Sequence, residues 1–238
     1  VDLESAQEIG RKTGLRSAAR LGARKIATCE VPVIFEAPIA SSLIGHFASA
    51  ISGGSLYRKS SFLLDSIGEQ VFAPDIQILD LPYLPKGLGS GPFDEDGVAT
   101  MERKIVENGI VQGYFLGSYS ARKLKMDTTG NAGGAHNLII QSANTLDVPA
   151  LLKKLHTGLL VTELLGHGVN GVTGDYSRGA SGFWVENGRI AYPVEEITIA
   201  GNLKDIYRGI LAIGDDVIVR GSKQSGSILI DRMTVAGD

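Results

Sequence analysis

Apolar residues occur mainly in short runs separated by turn-forming residues, a pattern that predicts many strands. Residues 31–35 are apolar throughout and predict a buried strand, and residues 75–81 alternate in polarity as a half-buried strand does. Segments 105–111 and 183–190 each place Asn-Gly between two apolar runs, which is the strongest short-range signal of a β-hairpin. Further strands are predicted at residues 159–165, 197–199, 217–219 and 228–230.

Charge order and apolar spacing predict the helices. Residues 2–25 carry acidic side chains near their start and basic ones near their end, the order that the helix dipole favours. Their apolar stripe is thin, so we expect residues 1–26 to be a linker or docking helix from an N-terminal domain and residues 27–238 to form the main domain. The other predicted helices contain residues 43–51 (capped by Ser41 or Ser42 and ended by Gly53-Gly54), residues 118–124, and the residues after Asp147.

The order of these elements lacks the alternation of strand and helix that a parallel sheet requires. We therefore predict an α+β fold, a mostly antiparallel β-sheet domain with a few helices. The 31 glycines in 238 residues agree with many short strands joined by tight turns.

Composition excludes several classes of protein. Lys plus Arg number 23 and Asp plus Glu 26, a formal charge of −3, which excludes a strongly basic nucleic-acid module. No apolar run reaches the roughly 18 residues of a membrane span. The single cysteine, Cys29, rules out an intrachain disulfide and agrees with a reducing compartment.

The histidines give only a weak signal for a metal site. The closest two along the chain, His156 and His167, are 11 positions apart, and no HExxH motif occurs. We expect His156 to act as a cation at a helix C-terminus. For His136 and His167, both in glycine-rich loops, ligand contact and an ordinary turn are equally plausible.

Other chemical motifs are weaker still. The glycine-rich loop 128–138 resembles a phosphate cradle but lacks the P-loop Gly-Lys-Ser/Thr, so a tight connecting loop is favoured. The acidic residues 94–96 are expected to form a solvated turn. Ser177 and Ser181 lack the GxSxG context of a hydrolase nucleophile.

Several long motifs together resemble one known family. They are SAISGGSLYRKSSFLLD (49–65), PFDEDGVAT (92–100), TTGNAGGAHNL (128–138), GVTGDYSRGASGFWVENG (171–188), EITIAGNLKDIYRGILAIGDD (196–216) and SGSILIDRMTVAG (225–237). They are similar to the TldD/PmbA family, and more to its PmbA-like (TldE-like) branch. The resemblance covers most of the chain and corresponds to the C-terminal part of such a protein.

This resemblance implies a cytoplasmic peptidase system. In it, TldD-like and PmbA-like subunits pair as a heterodimer that processes or degrades unfolded peptides. The TldD-like subunit carries an HExxxH helix and a later cysteine, which hold zinc or a similar divalent metal. PmbA-like proteins are also labelled modulators of DNA gyrase.

Carried over by position, the metal motif is degenerate here. The first ligand position is Gly45, the glutamate position is His46 and the second ligand position is Ala50. The later cysteine would fall within residues 221–226, where none occurs. The resemblance therefore implies no catalytic residue, no bound metal and no cofactor in this subunit.

The leading hypothesis is thus a non-catalytic subunit that encloses and holds the substrate peptide for a TldD-like partner. A homodimer is also possible, and neither a membrane nor a nucleic acid is an expected direct partner. Small residues in the glycine-rich segments 128–138 and 171–182 would let a peptide backbone approach closely. The predicted peptide-binding residues are Asn131, Gly133, Gly134, His136, His167 and Gly168.

Two alternatives stay open at this point. The chain could be an independent metallopeptidase whose ligands His46, His136 and His167 converge in space. It could instead be a non-enzymatic interaction protein of the gyrase-modulator type, which would bind its partner without a peptide groove.

Overall fold

The computed structural model describes residues 4–237, which contain helices and strands in two sheets. The helices are α1 (Ala6–Ala19), α2 (Ala37–Ala50), α3 (Gly53–Tyr57), α4 (Ser118–Leu124), α5 (Val148–Leu155) and α6 (Leu203–Arg208). The strands are β1 (Cys29–Phe35), β2 (Ile76–Asp80), β3 (Arg103–Glu107), β4 (Ile110–Val111), β5 (Leu138–Ser142), β6 (Thr145–Leu146), β7 (Gly158–Leu165), β8 (Asp175–Glu186), β9 (Arg189–Asn202), β10 (Ile210–Gly214), β11 (Lys223–Gln224) and β12 (Ile228–Ala236).

The larger sheet closes on itself. Its strand order is β1-β7-β8-β9-β12-β10-β6, and β1 also pairs with β12. Five strands, β1, β7, β8, β9 and β12, therefore form a ring with β10 and β6 attached. The pairs are antiparallel except for β1 with β7 and β10 with β6. The predicted α+β class with a mostly antiparallel sheet is confirmed.

The smaller sheet has the order β11-β5-β2-β3-β4, and its residues belong to the same apolar core as the ring. Helix α2 takes part in this core through Leu43, Ile44 and Phe47, all nearly or fully buried. The Phe47 ring meets Phe72 edge-on at 4.9 Å, and the Tyr207 hydroxyl donates a hydrogen bond to the Leu43 carbonyl at 2.9 Å. These contacts fix α2 against the rest of the molecule.

Both predicted hairpins are present. Asn108 and Gly109 join β3 to β4 with φ of 51° and 77°, and Asn187 and Gly188 join β8 to β9 with φ of 52° and 72°. Two consecutive positive φ values are the requirement of a type I′ turn, which explains why Asn-Gly occupies both sites. The predicted helices at 118–124 and after Asp147 are also present, and the Asp147 carboxylate caps α5 through the Ala150 amide at 2.8 Å.

Helix α2 begins earlier than predicted. It starts at Ala37 with Pro38 in its first turn, where proline's fixed φ suits a helix and its missing N–H costs nothing. The predicted cap Ser42 lies inside the helix and donates to the Ile39 carbonyl. Gly53 begins α3 rather than ending α2, with Ser52 as its cap.

One predicted strand is absent from the structure. Residues 217–219 are exposed and form no strand; the preceding Asp216 turns the chain there by accepting hydrogen bonds from the Ser227 amide and hydroxyl. The glycine-rich segment 171–182, for which no secondary structure was predicted, contains the first part of β8 at residues 175–182. Gly182 allows this because a Cβ there would overlap the Leu160 carbonyl oxygen on β7.

Helix α1 is shorter than the predicted 2–25, and residues 2 and 3 lie outside the described part of the chain. No α1 side chain is buried; the helix is held by ion pairs of Arg16 with Glu36 and of Arg20 with Glu163, both at 2.6 Å. Its role as a linker from another domain stays a prediction. Within residues 4–237, each helix is too short or too polar to cross a membrane.

The turn at Gly109 gives a direct stability test. A Cβ at this position would overlap Gln70 and the carbonyl oxygens of Phe72 and Ala73, and the positive φ disfavours any L side chain. We expect Gly109→Ala to lower the free energy of unfolding by about 2–4 kcal/mol, measured by urea denaturation.

Gly10 supplies the matched control. It lies inside exposed α1 with open space around it. Gly10→Ala should raise the free energy of unfolding by up to about 1 kcal/mol. Equal effects of the two substitutions would contradict the turn assignment.

Candidate functional site

A cavity of about 270 Å³ lies between α2, β8 and the loop 166–171; we call it the α2 cavity. Helix α2 contributes His46, Ser49 and Ala50 to its wall. Strand β8 contributes Arg178, and the loop contributes His167. The remaining wall is formed by Ser55, Ser60, Phe62, Gly166, Val169, Gly171 and Leu203.

Helical and strand periodicity explain which side chains reach the cavity. Positions 46, 49 and 50 share one face of α2, because residues three and four apart are neighbours on a helix. On β8, Tyr176, Arg178 and Ala180 share one face because side chains alternate along a strand. Tyr176 and Ala180 are each 1% exposed, so Arg178 lies on the core-facing side of its strand.

Gly168 determines where the loop lies. The Ser177 amide on β8 donates to the Gly168 carbonyl at 2.7 Å. A Cβ at Gly168 would overlap the Ser177 carbonyl oxygen, so only glycine allows the two backbones to approach this closely. This contact holds the neighbouring His167 at the cavity wall.

Three buried polar atoms in the wall of the α2 cavity or just behind it make no hydrogen bond of normal geometry within residues 4–237. They are His46 Nε2, Arg178 Nε and the Tyr176 hydroxyl. The rings of His46 and Tyr176 meet edge-on with centroids 6.1 Å apart. Because more than about nine in ten buried polar groups in proteins are hydrogen-bonded, three unpaired atoms at one place require an explanation.

The cavity is electropositive. Within residues 4–237, its lining contains no Asp or Glu, and Arg178 forms no ion pair. Burial and the Arg178 charge lower the pKa of His46, so its imidazole is neutral at pH 7. Burial raises the pKa of Tyr176 to about 12, and both the charge of Arg178 and its side-chain contact with the Tyr176 hydroxyl oppose that rise. Within the described lining, Arg178 is therefore the one permanent cation, and it has no carboxylate partner there.

The degenerate motif positions lie on the same helix. His46 and Ala50 line the cavity, while a Cβ on Gly45 would point toward the Lys223 side chain, 3.8 Å from its Cδ and Cε. Segment 221–226, where the resemblance places a cysteine, therefore lies beside α2. Among residues 4–237, no group of three or more His, Cys, Asp or Glu side chains is placed to hold a metal ion.

The three histidines of the alternative metal hypothesis do not share one site in the described structure. His46 and His167 line the α2 cavity. His136 is not among the lining residues; its backbone amide donates to Asp80 at 2.8 Å and its Nδ1 lies 3.1 Å from the same carboxylate.

The six predicted peptide-binding residues are divided between two places. His167 and Gly168 belong to the cavity loop. The other four, Asn131, Gly133, Gly134 and His136, lie in the glycine-rich loop near Asp80.

Asp80 organises that second place. It is fully buried and accepts hydrogen bonds from Asn131 Nδ2 at 2.9 Å and from His136. Arg103 donates to Asn131 Oδ1 at 2.9 Å and to the Tyr114 carbonyl at 3.0 Å. Asn131 is therefore buried and fully engaged, and its contact with a peptide stays an untested prediction.

Other contacts also hold the glycine-rich loop 128–138 in place. Gly133 has φ of 91° and packs on Glu95, whereas Gly134 faces open space. The prediction of a solvated acidic turn is wrong for Asp94, which is 7% exposed and accepts hydrogen bonds from the amides of Asp96, Val98 and Ala132. The Asp94 carboxylate therefore joins its own turn to the glycine-rich loop, which is 38 residues away in the sequence.

Sequence reasoning missed Arg178. The sequence analysis singled out Ser177 and Ser181 of the same strand instead. Ser181 is not a lining residue of the cavity; it donates a hydrogen bond to Glu163 and accepts one from Arg20. The alternation Tyr176, Arg178, Ala180 could have identified it, because it places a charged residue among the alternate strand positions that face the core.

The chain is similar to proteins of one family. The family described as "PmbA/TldA metallopeptidase C-terminal domain" matches residues 28–237. "Metalloprotease PmbA homolog" from Haemophilus influenzae is 53% identical over 236 residues, which cover 99% of this chain and 52% of that relative. "Metalloprotease PmbA" from Escherichia coli O157:H7 is 51% identical, with the same coverage. The chain therefore spans about half the length of these curated relatives.

Solved structures share the fold. A candidate modulator of a DNA gyrase from Thermotoga maritima superimposes with a TM-score of 0.91 at 36% identity, covering 99% of this chain and 56% of that one. TldE from Thermococcus kodakarensis superimposes with a TM-score of 0.83 at 22% identity, covering 97% and 55%. The latter likeness concerns the fold alone.

The unpaired state of Arg178 predicts an unusual stability effect. We expect Arg178→Met to leave the free energy of unfolding unchanged or to raise it by up to about 2 kcal/mol, because it removes a buried donor without a partner. Arg103→Met is the control and should cost about 3 kcal/mol, because it removes the positive charge near the buried Asp80 and leaves one hydroxyl, that of Thr129, to serve the Asn131 and Tyr114 oxygens. Urea denaturation of both variants measures the difference, and equal losses would refute it.

The electrostatic coupling of His46 to Arg178 can be measured by NMR titration. In Arg178→Gln, the pKa of His46 should rise toward its ordinary value, because the neighbouring positive charge is gone while burial persists. Arg189→Gln, which removes an exposed charge at the far end of the β8–β9 hairpin, should leave the pKa of His46 unchanged. Equal responses to the two variants would exclude direct coupling.

Proposed function

This chain belongs to the PmbA/TldA metallopeptidase family, and on that premise we propose that it is the supporting, non-catalytic subunit of a two-subunit metallopeptidase. One observation carries the proposal. On α2, the helix that would hold the metal, Gly45 and Ala50 occupy the two ligand positions and His46 occupies the position of the glutamate. His46 and Ala50 line the cavity, and neither Gly45 nor Ala50 has a side chain that can bind a metal.

The residues of the α2 cavity do not fit a metal ion. A catalytic zinc site takes three protein ligands from His, Cys, Asp or Glu, with one position left for water. Here the lining residues offer only two imidazoles, those of His46 and His167, and neither a thiolate nor a carboxylate. The unpaired Arg178 guanidinium beside them would repel a divalent cation. This chemistry supports placing the metal, zinc or a similar divalent ion, in a TldD-like partner.

The proposed role of this subunit is to hold the substrate, an unfolded peptide. Residues 163–165 of β7 pair with β8 on one side, and no strand within residues 4–237 pairs with their other side. An extended peptide could add to such an edge by main-chain hydrogen bonds, which tolerate many sequences. The next two residues, Gly166 and His167, line the α2 cavity, so the edge leads to it.

The names of similar proteins support the assignment to a metallopeptidase system. Two curated relatives are called metalloproteases, and one structural neighbour is called TldE. The cytoplasm is the proposed location, as for the family the sequence resembles. The Thermotoga maritima structure is described as a modulator of a DNA gyrase, and this description is the basis of a second candidate, a non-enzymatic interaction protein.

The deciding experiment uses the full-length protein, alone and mixed with a TldD-like partner, on an unfolded peptide. We expect metal analysis to find none bound to this protein alone. Peptide cleavage should appear only on mixing, and a chelator should abolish it. Replacing the glutamate of the partner's HExxxH motif by glutamine should abolish it as well, because that residue supplies the base.

Each opposing result identifies a different function. Stoichiometric metal and chelator-sensitive cleavage by this protein alone would establish an independent peptidase. Tight binding to a gyrase subunit, with no complex and no cleavage on mixing with the partner, would favour the interaction protein.

A further inference from the structure

The unpaired positive charge of the α2 cavity points to a ligand of opposite charge. Arg178 has no carboxylate partner within residues 4–237, and its buried Nε lacks any acceptor. An anionic acceptor that entered the cavity would accept a hydrogen bond from Arg178 Nε and would also neutralise the charge of the guanidinium. A neutral or cationic ligand would cover this partly buried guanidinium without compensating its charge, which is unfavourable.

The other groups on the wall complete a site for an anion with an apolar body. Ser49, Ser55 and Ser60 line the same cavity and carry hydroxyl groups that can donate hydrogen bonds. Phe62, Val169 and Leu203 add apolar surface. The volume of about 270 Å³ lies just below the roughly 300–1,000 Å³ of typical small-molecule pockets, so it suits a single terminal residue better than a long ligand.

We propose that the α2 cavity binds the C-terminal residue of a peptide, with its carboxylate on Arg178 and its side chain against Phe62, Val169 and Leu203. The planar guanidinium matches a carboxylate with two parallel hydrogen bonds. The imidazole of His46 and the hydroxyl of Tyr176 stand beside this pair with unused hydrogen-bonding atoms.

Inorganic phosphate fits this cavity less well. The wall is made by the last turns of α2, and the C-terminal end of a helix carries a partial negative charge that opposes a dianion more than a monoanion. Only one permanent cation lines the site, and much of the wall is apolar.

This site deepens the proposed function, because a supporting subunit that holds a peptide by its end would present the rest of that peptide to the partner. The role in the complex rests on the proposed function, whereas the binding step does not. Binding is measured on the full-length protein without a partner, so its failure and a failure of the mixing experiment are separate results.

The test is a calorimetric titration of the full-length protein with acetyl-Ala-Ala-Leu as the free acid and as its C-terminal amide. We expect the free acid to bind at least about 10-fold more tightly than the amide. Arg178→Met should weaken binding of the free acid by about 10- to 100-fold and leave the amide unchanged, the range of one charge-assisted hydrogen-bonded pair.

Two controls separate the site from general electrostatics and from misfolding. Arg189→Met removes one exposed positive charge at the far end of the β8–β9 hairpin and should not change the affinity for the free acid. Arg178→Lys keeps the positive charge but loses the planar guanidinium. Its affinity for the free acid should therefore lie between that of the unmodified protein and that of Arg178→Met. A His46 NMR titration should show its pKa rising when the free acid binds, with Arg178, Tyr176 and His167 as the titratable groups that face it.

Three outcomes would overturn the proposal. The free acid and the amide could bind equally, Arg178→Met could bind the free acid as the unmodified protein does, or inorganic phosphate could bind Arg178 more tightly than the free acid. The last would keep an anion site but exclude the peptide terminus as its source.

Discussion

The closure of the strand ring by β1 is the constraint on which the rest of the structure depends. Strand β1 pairs with β7 on one side and β12 on the other, and then leads directly into α2. The start of α2 is fixed by the same strands, because the Glu36 amide donates to the Val161 carbonyl and the Ala37 amide to the Ser227 hydroxyl, both at 3.0 Å. The ring therefore sets the position of His46 relative to Arg178.

The buried Asp80 and the partly buried Arg178 have very different surroundings. Asp80 is surrounded by donors from Asn131 and His136, and Arg103 completes the network. Such a satisfied network makes a loop rigid. Arg178 has no comparable partners within residues 4–237. Asp80 is thus held by hydrogen bonds of the fold itself, whereas the Arg178 guanidinium lacks a carboxylate partner, which is the basis of the ligand site proposed above.

Membership of a metallopeptidase family and a cavity unsuited to metal are consistent if the family divides its work between subunits. Helix α2 lies against the 221–226 segment, and Gly45, His46 and Ala50 do not form a metal-binding set of side chains. The cavity beside this helix is lined instead by Arg178, a cation that favours an anion over a metal ion. Fold alone does not determine which subunit performs the chemistry.

The sequence by itself determined the Asn-Gly hairpins and the α5 cap at Asp147, because each depends on residues close together in the chain. It also determined the α+β class, through the order of elements along the chain, and the family, through several long motifs. It did not determine that residues 217–219 leave the sheet or that Asp94 is a buried anchor between loops. Only the tertiary structure placed Arg178 opposite His46. The reason is that these two residues are more than a hundred positions apart in the chain, and that the partners of a charge are set by contacts between distant segments, which no local pattern encodes.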